Sequence, residues 1–517
     1  MGVPSLNGKF TMPMFKTFVP KSIQPWIYIC IALSFQLSGG VYIGALNEFI
    51  GNHSLIKEDM LMANYINLAG MAITFPLVLR LKFRFTNKTL LCTSALGVIF
   101  CNIASMHITW LPILWFICFI DGYFKIQGTF ECMSNIQLWM TPKRDFTVFF
   151  PLLHIIILCS IAFSNWITSY LTYYYDWRHM NLFIIGLMLF VLLVIITLTK
   201  HFRIMKKMPL YGIDWLGALL WSILAIEIIY LFNYGEFYNW WNSNVICHLT
   251  IAIIITAIIC ILRMLSIRHP FLDTEMWTYK NYWKLLLLII FVEGFLAAEY
   301  VLEEIIHKEI FHYDLLTTSS LNLWVIIGVV IGCLFALLWM KVLKFNFLRL
   351  ITIGIATLSC YMILYYFLLS PDVNIERMYL PTLLRGFSYA VLSSTFFVCL
   401  EEIMTFRHFF QSLCIFNMVH MFIGGTIGAA IYSFFMRYFM ADYVGRYGSN
   451  LPQGYPMDIF IKQMQIVSIR TIYGWVAYGC MALLFCFLLY DTPIRSSLKL
   501  IPSWRSVGKG IRQLIIR

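Results

Sequence analysis

WFICFIDGYFKIQGTFECMSNIQLW, from Trp115 to Trp139, is the stretch that decides how the chain is interpreted. Its length and apolar content predict a membrane-spanning helix, yet it carries Asp121, Lys125 and Glu131. An ionised side chain near the middle of a bilayer costs roughly 2.5–3.5 kcal/mol, so such groups face a protein interior or a water-filled cavity. Asp121 and Lys125 are four residues apart, lie on one helix face and partly neutralise each other. The pair is either a structural lock between helices or part of a transport pathway.

The composition of the whole chain is that of a polytopic membrane protein. Of its 517 residues 61% are hydrophobic and 12% are charged, and the mean hydropathy is +0.79, whereas about 25% of the residues in soluble proteins are charged. The net charge of +12 does not indicate nucleic-acid binding, because the basic residues lie in short segments between apolar runs. The 14 cysteines form no CxxC pair and lie inside apolar runs, as small buried hydrophobic residues do.

About fourteen apolar runs are long enough to cross a bilayer. They cover residues 26–47, 60–81, 88–108, 111–139, 146–172, 179–199, 214–234, 244–265, 284–306, 318–340, 346–369, 377–402, 408–437 and 470–490. Lys and Arg collect in alternate loops, for example at residues 80–88 and 200–207, so both termini are expected in the cytoplasm. The expected location is the inner or plasma membrane. Residues 437–470 are expected to form a turn-rich external loop that ends in a short amphipathic helix.

Two blocks of sequence match the pattern of a known family. Gly212-Ile-Asp-Trp-Leu-Gly217 opens the seventh predicted span, and Gly235-Glu-Phe-Tyr-Asn-Trp240 follows it. His269-Pro-Phe-Leu-Asp273 precedes the ninth span. Together with the number and spacing of the spans, these blocks resemble the fourteen-helix drug:proton antiporter branch of the major facilitator superfamily.

The chain departs from the pattern of that branch at several places. Ser38 stands where the branch has an acidic residue in helix one, and Phe124, followed by Lys125, stands where it has an arginine in helix four. Ser164–Ser169 replaces the Gly-Pro bend of helix five, and the loop at Leu79–Asn87 lacks the family's Asp and Gly. The usual proton-coupling signature is therefore missing from its usual places.

The resemblance implies an all-α membrane protein with the major facilitator fold, two six-helix bundles plus an additional helix pair. The implied boundaries are residues 1–200 for the N-terminal bundle, 201–270 for the additional pair, 271–495 for the C-terminal bundle and 496–517 for a basic cytoplasmic tail. The superfamily lines its central cavity with the first and fourth helix of each bundle. These correspond to predicted spans one, four, nine and twelve.

The charged residues inside the predicted spans concentrate on those helices. They are Asp121, Lys125 and Glu131 in span four, Glu293 and Glu299 in span nine and Arg385 in span twelve, and only Glu227 in span seven lies elsewhere. Asp121 and Glu293 each lie roughly ten residues into a span, near the bilayer midplane, where transporters bind substrate and coupling ion. Glu293 has no basic neighbour on its own helix and is the expected proton-carrying group.

The remaining candidates each have two interpretations. Arg385 binds an anionic group or locks the two bundles, and Glu299 is a functional carboxylate or part of a solvated vestibule. Gln36 in span one and Tyr389 in span twelve are polar contacts for a solute or packing residues. His420, alone in an apolar helix, is expected to be structural.

The predicted function is secondary active transport of a small organic solute by alternating access, with proton-coupled efflux of the multidrug type as the first choice. Solute uptake is one alternative, and a non-transporting role in membrane assembly or signalling is another. The expected partners are the solute, protons, the lipid bilayer and, for an exporter, a periplasmic adaptor protein. No nucleotide-binding loop, metal-ligand cluster or activated nucleophile is recognisable, so neither a cofactor nor an enzymatic activity is expected.

Overall fold

The computed structural model describes residues 12–38, 56–108, 110–141, 145–203, 207–344, 346–371, 373–448 and 456–491. The described chain is helical, with one isolated β-bridge between Phe15 and Thr199. In chain order, helices α1 to α15 are Gln24–Leu37, Lys57–Arg84, Asn87–His107, Leu111–Met140, Phe146–Tyr174, Arg178–Leu198, Trp215–Tyr234, Asn244–Ser266, Tyr282–Leu296, Leu315–Leu337, Phe347–Leu368, Glu376–Ile403, Phe406–Val419, Ile427–Gly448 and Met457–Asp491.

Four π-helical turns extend or join these helices. Glu299–Glu303 and Ile306–Ile310 follow α9, Leu338–Leu343 follows α10, and His420–Thr426 joins α13 to α14. Short 3-10 helices at Trp240–Asn242 and Thr274–Thr278 precede α8 and α9. Turns of the π type are rare in α-helices and occur frequently at functional sites.

Twelve helical segments in the described ranges are long and apolar enough to cross a membrane. They correspond to every predicted span except the first and the fourth. The first helix, α1, is described only as far as Leu37, and residues 39–55 lie outside the description. The fourth, α4, is 30 residues long, but its charged side chains lower its hydropathy. The count of fourteen spans therefore stays a prediction.

The segment before the last span differs from the sequence-based expectation. Helix α14 continues to Gly448, and its last turns carry an ion pair between Arg446 Nε and Asp442 Oδ1 at 2.8 Å. Helix α15 begins at Met457 and runs without a break to Asp491. The prediction of a separate amphipathic helix was therefore wrong, because the polar turns belong to the same helix as the apolar span. The basic tail at 496–517 lies outside the described residues.

The chain divides into two compact units. The first comprises Met1–Arg144, Phe163–Ala297 and Leu400–Ala430, and the second comprises Asp145–Ala162, Ala298–Cys399 and Ile431–Arg517. In the first, Tyr65 and Ile66 of α2 pack against Ile229 of α7. In the second, Val329 and Cys333 of α10 pack against Ala390 of α12. The predicted domain boundaries at residues 200 and 270 stay a prediction.

Helix α8 has the surface expected of a helix that faces lipid. Of its 23 residues, only Ile246, Thr256 and Cys260 are buried. Several of its large apolar side chains, among them Ile255 and Leu262, are more than half exposed. An apolar face of this size would promote aggregation in water, but it is compatible with the hydrocarbon core of a bilayer.

Two glycines set the crossing of α2 and α4. A Cβ atom on Gly70 would lie 2.1 Å from the carbonyl oxygen of Phe119, and one on Gly122 would lie 2.1 Å from the carbonyl oxygen of Asn67. Membrane helices approach this closely only where small residues line the contact. The close approach brings Asn67 of α2 alongside α4.

We expect the substitution Gly122→Ala to lower the stability of the detergent-purified protein by about 1–3 kcal/mol, because the new methyl group meets backbone rather than a movable side chain. Thermal unfolding measures the loss. Gly186→Ala is the matched control, since a Cβ at this position on α6 meets no atom within 4 Å. Equal stability of the two variants would contradict the crossing described above.

Asp214, in the block at residues 212–217, joins three segments of the chain. Its Oδ1 accepts hydrogen bonds from Gly217 N at 2.9 Å, at the start of α7, and from Arg263 Nη2 at 2.6 Å, near the end of α8. Its Oδ2 accepts a hydrogen bond from Phe271 N at 3.3 Å. The carboxylate therefore caps α7 and binds α8.

The free energy of unfolding should depend on pH through the carboxylate of Asp214. Burial opposes its ionisation, but the hydrogen bonds from Arg263 and from the backbone of Gly217 and Phe271 outweigh burial and hold the pKa of Asp214 below its ordinary value of 3.8. A carboxylate with a lowered folded-state pKa stabilises the fold above its unfolded pKa, and the contribution is lost as the pH falls through the folded-state pKa. We therefore expect Asp214→Asn to lower the melting temperature more at pH 7 than at pH 3. An equal loss at both pH values would contradict this role.

Candidate transport site

Asp121 lies in the contact between α2 and α4. Its side chain is 3% exposed, and its Oδ2 accepts a hydrogen bond from Asn67 Nδ2 at 2.9 Å. Its Oδ1 is buried and has no hydrogen-bond partner. Lys125, one turn further along α4 and equally buried, provides a compensating charge. A buried oxygen that lacks a donor is costly, so this carboxylate is open to a proton or to another donor.

Glu131 belongs to a separate cluster in which both carboxylate oxygens are satisfied. Lys82 Nζ of α2 lies 3.2 Å from Glu131 Oε2, and Asn135 Nδ2 donates to Oε1 at 3.1 Å. Lys82 also donates to the hydroxyl of Ser134. This ion pair holds α2 to α4.

Gln36 connects α1 to α4. Its Nε2 donates to Thr129 Oγ1 at 3.0 Å, and both side chains are buried. The neighbouring Gly128 leaves room for the ring of Phe35, since a Cβ there would lie 2.5 Å from Phe35 Cζ. Of the two interpretations of Gln36, the contacts favour packing.

Glu293 is paired with His420. Its Oε2 lies 2.8 Å from His420 Nδ1; the carboxylate side chain is 5% exposed and the imidazole 30% exposed. His420 begins the π-helical turn, and a Cβ on Gly424, within that turn, would lie 2.7 Å from Glu293 Oε2. The glycine therefore leaves the space that the carboxylate occupies.

Sequence reasoning missed His420 as a functional candidate. The two residues are 127 positions apart, and no local spacing signals that they meet. The available signal is a titratable residue one helical turn before Gly424 and Gly425, within the predicted span at 408–437.

Arg385 of α12 lies between two carboxylates of the π-helical turn that follows α9. Its Nη1 is 2.9 Å from Glu299 Oε1 and 2.5 Å from Glu303 Oε2, and the Tyr361 hydroxyl donates to Glu303 Oε1. Arg385 and Glu303 are buried, whereas the side chain of Glu299 is 33% exposed. Two carboxylates and one guanidinium leave a net charge of −1. The guanidinium is therefore already neutralised, which disfavours its interpretation as a site for an anionic group.

Buried polar atoms without a hydrogen-bond partner lie near this cluster. Among them are the hydroxyl oxygen of Tyr473 and Nε2 of His307, and both residues interact electrostatically with Glu303 and Arg385. Buried polar atoms without partners are rare and indicate a position for water or a ligand. Tyr389 is partly buried on α12, four residues beyond Arg385.

The candidates belong to two separate units. Those in the first unit are Gln36, Asp121, Lys125, Glu131 and Glu293, and those in the second are Glu299, Arg385 and Tyr389. Glu227, outside the predicted cavity helices, accepts a hydrogen bond from Thr256 Oγ1 at 2.9 Å, which joins α7 to α8.

We expect Arg385→Met to destabilise the protein by about 3–5 kcal/mol, because it leaves two neighbouring carboxylates without their shared cation. Thermal unfolding in detergent measures the loss, and adding Glu303→Gln to the variant should restore part of it. Arg377→Met, at an exposed position on the same helix, is the control. If the double variant is no more stable than Arg385→Met alone, the charge argument fails.

Comparisons with known proteins bear on the fold. No model of a protein family matches the chain, and no curated protein matches its sequence. Among solved structures, the human organic anion transporter MFSD10 (TETRAN) is 9% identical, with a TM-score of 0.58, and the match covers 91% of this chain and 100% of that one. The peptide transporter POT in complex with sulfate is 12% identical, with a TM-score of 0.58 and coverage of 93% and 97%.

A mutant of the nucleoside transporter NupG is 11% identical, with a TM-score of 0.53, and the match covers 90% of this chain and 99% of that one. At these identities the similarity shows the fold alone. The described part of the chain is all-helical, and its fold is similar to that of these major-facilitator-type transporters.

Proposed function

We propose that the chain is a proton-coupled secondary active transporter that exports a small organic solute by alternating access. The fold supports transport in general, since the structural neighbours are named as transporters of nucleosides, peptides and organic anions. Because those solutes differ, the fold does not select one. The fourteen-span, two-bundle arrangement inferred from the sequence is part of the same proposal.

The Glu293–His420 pair is the observation that carries the proposal. A carboxylate and an imidazole 2.8 Å apart share a proton readily, and the pair holds none, one or two protons with net charges of −1, 0 and +1. A change of one unit of charge in a low-dielectric site is worth several kcal/mol. Protonation of such a pair would therefore bias the two conformations that alternate in a carrier.

Asp121 with Lys125 is proposed as a second ionisable site in the first unit. Its charges balance within one helix, and one carboxylate oxygen lacks a donor. The cluster of Glu299, Glu303 and Arg385 is proposed to contact the solute through Glu299, whose side chain is the most accessible of the three. A net charge of −1 and surrounding tyrosines favour a solute that carries a positive group.

The direction of transport rests on the sequence resemblance. The blocks at 212–217 and 269–273 are similar to those of drug exporters, which favours efflux, and cooperation with a periplasmic adaptor is proposed with it. Uptake and a non-transporting assembly role are the competing outcomes of the experiment below.

The test uses inverted membrane vesicles with an acidic lumen, reported by the quenching of acridine orange. A panel consisting of a nucleoside, a dipeptide, an organic anion and a lipophilic cation is added outside. An exporter that exchanges solute for protons dissipates the gradient and restores fluorescence, whereas a symporter does so only when the solute is loaded inside.

We expect Glu293→Gln to reduce this proton flux at least tenfold while the protein still reaches the membrane, and His420→Gln to reduce it as well. Glu227→Gln should keep the flux, since this intramembrane carboxylate bonds to α8. Unchanged flux in Glu293→Gln would contradict the proposed coupling. A wild-type protein that moves no proton with any solute would favour the assembly role.

A further inference from the structure

Three side chains of types that can ligate a metal, outside the transport candidates, lie close together in the first unit. His408 Nε2 lies 3.5 Å from Asp273 Oδ2 and 3.8 Å from Glu275 Oε2. One ligand atom from each of the three residues lies within 4.8 Å of the other two. Zn²⁺ binds imidazole nitrogen and carboxylate oxygen at about 2.0–2.2 Å. Small side-chain movements would therefore bring all three ligand atoms within bonding distance of one ion.

The histidine ring is held with an unpaired nitrogen facing the carboxylates. His408 Nδ1 lies 2.9 Å from the Tyr279 hydroxyl and 3.2 Å from Thr405 Oγ1, and the Tyr279 hydroxyl donates to Thr405 Oγ1 at 3.2 Å. Both oxygens can accept a proton carried on Nδ1, and in that tautomer Nε2 carries a lone pair. That atom is buried without a hydrogen-bond partner, in a residue that is 5% exposed. A lone pair aimed at two carboxylates is unfavourable unless a positive charge lies between them.

The arrangement matches the way proteins prepare a histidine for a metal. A ligating imidazole almost always donates its other N–H to an oxygen, which fixes the tautomer and the ring orientation. Here Tyr279 supplies that oxygen. Asp273 is held in turn, because its Oδ1 accepts a hydrogen bond from Glu275 N at 3.3 Å and its own N–H donates to Gln411 Oε1 at 3.3 Å.

Within the described ranges of the chain, Arg407 is the competing cation in direct contact with these residues. Its Nη2 lies 3.0 Å from Asp273 Oδ2, the oxygen that faces His408, and its side chain is 53% exposed. The guanidinium can move into solvent at little cost. With Arg407 in place, two carboxylates and one cation still leave a net charge of −1.

We propose that Asp273, Glu275 and His408 bind a divalent transition-metal ion of the Zn²⁺ type. One nitrogen and two oxygen ligands favour zinc over Mg²⁺ or Ca²⁺, which prefer oxygen alone. The bound ion would join the segment before α9 to the first turn of α13, and three protein ligands would leave one position for water. On the predicted topology this site faces the cytoplasm.

The test measures Zn²⁺ binding to untagged, chelator-treated protein in detergent by isothermal titration calorimetry. We expect one ion per chain and a raised melting temperature on addition of Zn²⁺. His408→Ala should weaken binding at least tenfold and abolish the rise in melting temperature. His269→Ala is the matched control, an exposed imidazole four residues before Asp273, and should bind as the wild type does.

Glu275→Gln provides a second test should His408→Ala fail to fold, because the Glu275 side chain is 75% exposed. It should also weaken Zn²⁺ binding. Wild-type protein that binds no Zn²⁺ stoichiometrically, or equal binding by Glu275→Gln and the wild type, would overturn the proposal. Mg²⁺ binding as tight as Zn²⁺ binding would overturn the role of His408. These readouts measure binding alone and do not depend on the transport proposal.

Discussion

An ionisable side chain inside a lipid-length helix must find its partner within the protein, and this constraint organises the described part of the chain. Glu131 reaches Lys82, Glu293 reaches His420, and Arg385 reaches two carboxylates. Each of these contacts joins different helical segments. Charge in the membrane thus serves to hold helices in register, because a displaced helix would leave a buried charge alone.

Glycines make room for two of the buried polar contacts. At the crossing of α2 and α4, Gly70 and Gly122 bring the backbones together, and Asn67 then reaches Asp121. At the π-helical turn, Gly424 leaves the volume into which the Glu293 carboxylate extends. At these two places a glycine provides the space that a buried polar contact needs.

The fold class could be predicted from the sequence because the length and hydropathy of an apolar run are local properties. Twelve of the predicted spans correspond to membrane-capable helices. The positions of the intramembrane charges were equally plain, and the Asp214 block was located correctly at the start of a helix. That α15 is one uninterrupted helix was harder to predict, because its first turns are polar and only its later turns form an apolar span.

The partners that charged residues find on other helical segments could not be predicted. His420 is 127 residues from Glu293, and His408 is more than a hundred residues from Asp273. Which residues meet depends on the rotation and crossing of helices, and periodicity along one helix does not determine either quantity. Gln36 keeps two interpretations for the same reason, because its contact with Thr129 on another helix is not visible in the sequence.

The π-helical turn at His420–Thr426 also sets an angular offset. Its hydrogen bonds run from residue i to i+5, so the turn contains a surplus residue. Each residue of an α-helix advances the chain by about 100°. Ordinary α geometry here would therefore rotate α14 by about that angle relative to α13 and present a different stripe of α14 to its neighbours. The extra residue therefore determines the rotation of α14 about the helix axis relative to α13.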